Sequence, residues 1–94
     1  MEIKYSRHLE QRLILRGIGH ELPALIFNQS EERYYDQETG YMIATMGVQL
    51  YNKPREVMVA YIIEQKVAKL LTIHPLKGGQ KRKRVESGRW RKIE

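Results

Sequence analysis

The chain has no cysteine, so disulfides and thiolate metal sites are excluded. A secreted protein of this size normally needs such staples, which favours a cytoplasmic location. No apolar run approaches the roughly 18 residues of a spanning helix. The start, Met1-Glu2-Ile3-Lys4-Tyr5, lacks the apolar stretch of a signal peptide. No phosphate-binding loop, dinucleotide-binding glycine motif or nucleophile elbow is present. The three histidines have no tight metal-ligand spacing and no carboxylate partner in a metal motif, so neither metal nor cofactor is expected. At 94 residues the chain is one domain, with little room for a deep substrate cavity.

What the sequence does have is an uneven charge. The net +6 is carried by positions 77–94, which hold eight of the 17 basic residues and two of the 11 acidic ones. The rest is formally neutral. Such asymmetry fits a polyanionic partner, nucleic acid before membrane. The plainer reading is a solvated, solubilising tail.

Periodicity organises the first 76 residues as one α+β domain, followed by the basic C-terminal tail at 77–94. Ser6 caps a predicted helix that runs to Arg16, with Leu9 and Leu13 as its apolar stripe and Gly17 as its stop. A second short helix is predicted over Glu21–Asn28, with Pro23 in its first turn. Together they read as an N-terminal helical hairpin. Strands follow at Arg33–Tyr35, Tyr41–Tyr51, Arg55–Glu64 and Val67–His74, with a bulge expected at Gly47 and turns at Asn52-Lys53-Pro54 and Gln65-Lys66. The expected architecture is that helical hairpin packed on a four-stranded antiparallel sheet. Both sheet faces are apolar: Val57, Val59, Tyr61 and Ile63 point one way, Met58, Ala60 and Ile62 the other. Two short helices cover one face. The other needs the tail folded back, a protein partner, or a second copy in a homodimer.

His8, Arg12 and Arg16 are spaced i, i+4, i+8 and line one helix edge within about 80° of arc. An imidazole beside two guanidiniums can handle phosphate: Arg offers a planar fork, and nearby positive charge favours the neutral base form of His. The plainer reading is a polar edge paired with carboxylates. His74 closes the last strand before Pro75, and Tyr61 is a weaker candidate. His20 reads as a helix-start residue. In the tail, Lys81-Arg82-Lys83-Arg84 and Arg89-Trp90-Arg91-Lys92 are candidate nucleic-acid contacts. There Trp90 either stacks on a base or anchors the tail to the open sheet face.

Ser6-x-His8-x3-Arg12-x3-Arg16-Gly17-Ile18 resembles the opening of small bacterial and archaeal domains akin to BrnT toxins, within the broader RelE/ParE-like toxin group. Lys69-Leu70-Leu71-Thr72-Ile73-His74-Pro75 is similar to that group's late strands, and Gly88-Arg89-Trp90 to an ending seen in some relatives. The resemblance covers about Ser6 to Pro75. It implies a compact α+β fold, metal-independent RNA cleavage, RNA or the ribosome as target, and a neutralising antitoxin protein. The chain departs from the RelE toxins in lacking a late Tyr/Arg cluster within the body. The reading is then an endoribonuclease in which the 2′-OH of RNA attacks the adjacent phosphodiester. His8 or His74 serves as base or acid, and Arg12 and Arg16 stabilise the developing charge. The rival readings are a non-catalytic nucleic-acid-binding module and a protein-interaction module.

Overall fold

A computed structural model describes residues 1–93; Glu94, the last residue of the expected tail, lies outside the described residues. The elements run β1 (Glu2–Tyr5), α1 (Arg7–Arg16), α2 (Leu22–Gln29), β2 (Glu32–Asp36), β3 (Met42–Leu50), β4 (Lys53–Glu64), β5 (Val67–Pro75), α3 (Gln80–Glu86) and β6 (Trp90–Ile93). The six strands form one mixed sheet in the order β1-β5-β4-β3-β2-β6. This corrects the expected four-stranded antiparallel sheet at both edges. Residues 2–5 pair in parallel with β5, and the end of the basic segment pairs antiparallel with β2. The segment after Leu76 is therefore not a free tail. Nor do the first helices form a hairpin packed as a unit: α1 lies on β5, and α2 lies mainly on β3 and β4.

Local chemistry sets the boundaries. The Ser6 hydroxyl accepts from the Leu9 amide at 3.0 Å and caps α1. The helix ends at Gly17, whose left-handed φ of 61° lets Ile18 N–H reach back to the Leu13 carbonyl. Leu9 and Leu13 enter the core, while Ile14 and Leu15 stay 83% exposed. The β3–β4 turn is the two-residue Tyr51-Asn52, both at positive φ, so Lys53 and Pro54 belong to β4. Gly47 pairs regularly with Glu56 and carries no bulge.

The irregularity falls in β5 instead. Tyr61 pairs with Leu70, but the preceding Ala60 pairs with Thr72, leaving Leu71 as the extra residue. A bulge shifts the period-two alternation by one. Ala68 and Leu70 therefore point to the helix side with Tyr61. Beyond the bulge Ile73 takes over that role, and Thr72 and His74 point to the opposite face, beside Ala60 and Met58.

Each face has its own core. On the helix side Leu9, Leu13, Ile26 and Phe27 pack on Val57, Val59, Leu70 and Ile73. On the second face Tyr34, Ile43, Met58, Ala60 and Trp90 cluster, with Leu76 against them. Trp90 is 1% exposed and stacks on Tyr34 at 5.5 Å between centroids. The face that two helices could not cover is closed by the chain's own end, so no second copy is needed to bury it.

Candidate functional site

The β5 edge explains how the site forms. β1 pairs only as far as Leu70. At that point Ser6 N–H donates to the Leu70 carbonyl and its hydroxyl to the Leu71 carbonyl, each at 2.9 Å, and the chain turns into α1. Past the bulge the outer edge of β5 has no strand beside it. Arg12 reaches over that gap from α1 to the second face, where its Nε donates to Thr72 Oγ1 at 3.3 Å. Its Nη2 lies 3.2 Å from His74 Nδ1 and 3.3 Å from Nε2. The two ring nitrogens point apart in the ring plane, so one group nearly equidistant from both lies against the ring rather than in line with either nitrogen.

His74 forms part of a cleft of about 520 Å³ that crosses the second face. Buried Ile43, Met58 and Ala60 form its floor, and Arg16, Arg84 and the partly exposed Tyr41 also line it. Burial first, then the charges of Arg12, Arg16, His8 and Arg84, hold the His74 pKa below its ordinary value. At neutral pH it is an uncharged imidazole among guanidiniums.

Of the residues expected from sequence, Arg12, Arg16 and His74 come together here. His8 is exposed on α1, outside the cleft lining, and acts on His74 only through its charge. Tyr61 is turned to the helix side, where its hydroxyl accepts from Arg33 Nη1 at 3.1 Å, so it takes no part. His20 lies just before α2 but does not cap it: the N-cap is Glu21, and the His20 ring pairs with Glu10 at 2.7 Å.

The basic segment divides. Lys81 lies 2.9 Å from both Glu32 and Glu56 and fastens α3 to the sheet. Burial alone would lower its pKa, but the two carboxylates push it up to about 12. Arg89 forms a fork on buried Asp36, at 3.0 and 3.1 Å. Burial would raise the Asp36 carboxyl, yet Arg89, the Glu38 amide and the Thr39 hydroxyl bring it below its usual value. Both cations are occupied internally. Trp90 is spent on the sheet and offers no face to a base. Arg84 lies 5.2 Å from the Trp90 ring centroid and is held at the cleft. Arg82, Lys83, Arg91 and Lys92 remain at the surface, Arg91 over the Tyr35 ring.

In sequence Arg84 is indistinguishable from its basic neighbours, and Thr72 and Tyr41 look like ordinary strand residues. The signal for Thr72 and His74 was readable: the Leu70-Leu71 doublet breaks the alternation of β5, so its later residues change face. Among the described residues no three His, Cys, Asp or Glu side chains converge as metal ligands, and no helix is long and apolar enough to cross a membrane. No family model, no curated protein and no solved structure matches this chain.

Proposed function

We propose that the protein is a toxin-like endoribonuclease that cuts RNA without a metal, in line with the resemblance of its opening and late strand to BrnT-like domains. The observation that carries this reading is the geometry of His74, with the Arg12 guanidinium 3.2 Å from its ring and Arg16 and Arg84 lining the same cleft. His74 takes the proton of a 2′-OH, and that oxygen attacks the adjacent phosphorus. Arg16 and Arg84 meet the charge gathering on the phosphorane oxygens. The P–O5′ bond breaks, leaving a 2′,3′-cyclic phosphate on one fragment. The departing 5′ oxygen is protonated by Lys77, which also lines the cleft, or by water at its mouth. RNA, free or on the ribosome, is the target, and an antitoxin protein is the expected partner.

The test is incubation of the purified protein with mixed RNA, free and on ribosomes, in EDTA. Fragments ending in cyclic phosphate are expected. A general base contributes about 10²–10⁴-fold, so His74→Ala should lose that much cleavage while RNA binding and the melting curve are kept. RNA left intact by the folded protein in both settings would refute the reading. The exposed Arg82, Lys83 and Lys92 favour the rival, a binding module without chemistry. It is selected if His74→Ala changes neither cleavage nor any cellular phenotype.

A further inference from the structure

Tyrosine usage across the fold singles out one ring. Five of the six tyrosines are engaged: Tyr5 with His20, Tyr34 with Trp90, Tyr61 with Phe27, and Tyr35 and Tyr51 beneath Arg91 and Arg55. Tyr41 has no ring or cation partner among the described residues. It is 39% exposed and lines the same cleft as Arg16, Arg84 and His74. The floor crosses four adjacent strands, from Thr72 and His74 on β5 through Met58 and Ala60 on β4 and Ile43 on β3 to Asp36 on β2. Three inter-strand spacings make it about 14 Å long. That is the reach of a nucleoside with its phosphate, not of a bare phosphate ion. The cleft volume is also within the range of small-molecule sites.

We propose that this cleft seats a single unpaired nucleobase stacked on the Tyr41 ring, with the attached phosphate directed to Arg16 and Arg84. The assignment of the phosphate end rests on the ribonuclease reading; the stacking end rests on Tyr41. The site tolerates any base. The polar groups at the Tyr41 end are already satisfied within the protein: Asp36 by Arg89 and the Glu38 amide, and Thr39 Oγ1 by the Tyr41 amide at 3.2 Å. With Asp36 and Thr39 engaged within the protein, affinity comes chiefly from the π-face, which every base has, and purines bind more tightly than pyrimidines because their face is larger.

Calorimetric titration with adenosine 3′-monophosphate, uridine 3′-monophosphate and inorganic phosphate tests this on the wild-type protein, Tyr41→Ala and Tyr41→Phe. Both nucleotides should bind more tightly than inorganic phosphate, adenosine the more so. Tyr41→Ala should weaken nucleotide binding about 5- to 150-fold and leave phosphate binding unchanged, whereas Tyr41→Phe should retain it. Nucleotides binding no better than phosphate, or Tyr41→Ala weakening both alike, would overturn the proposal. Mononucleotides have no internucleotide bond to cut, so the two readings fail separately. Tyr41-dependent nucleotide binding by a protein that leaves RNA intact removes the cleavage reading and upholds this one. RNA cutting without Tyr41-dependent nucleotide binding does the reverse.

Discussion

Protonating His74 would add a positive charge beside Arg12, Arg16 and Arg84 in a half-buried position, where water gives little relief. The direction of its pH profile follows. A general base works only when unprotonated, so cleavage should fall as pH drops through the His74 pKa, which lies below the ordinary histidine value. Arg12→Gln removes the guanidinium lying against the ring and takes away one cause of the depression. The acid limb of the rate profile should then move to higher pH, toward the ordinary value, with the same displacement in an NMR titration of the His74 ring. A limb that stays in place would show that Arg12 does not set the base form. Thr72 has a quieter part: its hydroxyl accepts from Arg12 Nε and so fixes the direction from which the guanidinium meets the ring.

Single elements decide which faces exist. The Leu71 bulge turns two polar side chains out of the helix-side core, and β6 gives the second face its lid. Replacing Trp90 by Ala removes the largest fully buried side chain. Such truncations cost about 3–5 kcal/mol, which for a domain near this size lowers Tm by roughly 12 °C or more. A thermal melt checks it, and an unchanged Tm would mean that β6 does not hold the fold. How far these elements could be read from sequence follows from their length and polarity. Ser6–Arg16 showed its cap, stripe and glycine stop, and the hydrophobic strands β3, β4 and β5 showed β-rich runs. Glu2–Tyr5 is four residues without a decisive pattern, and Trp90–Ile93 is half basic, so neither declared itself a strand. The same holds at the site. The helical spacing put Arg12 and Arg16 on one edge and His74 at a strand end. That β1 stops at Leu70, letting Arg12 cross to His74, is a fact of pairing that no residue type encodes.

Across the whole molecule, the excess positive charge of the last segment is partly consumed inside. With Lys81 and Arg89 paired to carboxylates, the proposed RNA binding at the cleft would rest chiefly on Arg16, Arg84 and Lys77. Single-stranded RNA releases counterion with a slope of log K against log salt of roughly −0.7 per phosphate neutralised. Three such contacts give about −2, shallower than eight free cations would produce. Binding measured across a salt series checks this, and a slope near −5 would show that the surface cations carry the affinity instead. The strand order has a last consequence, in time rather than in space. β1 waits for β5, and β2 waits for β6, so at both sheet edges the paired segments are translated far apart in time. Contacts so distant along the chain make for slow folding. During synthesis the surface of Ile43, Met58 and Ala60 stays bare until Trp90 has emerged, and a chain in that condition is prone to aggregate. Arg16 is made early and Arg84 late, so a growing chain has no assembled cleft until the segment through Trp90 has been made.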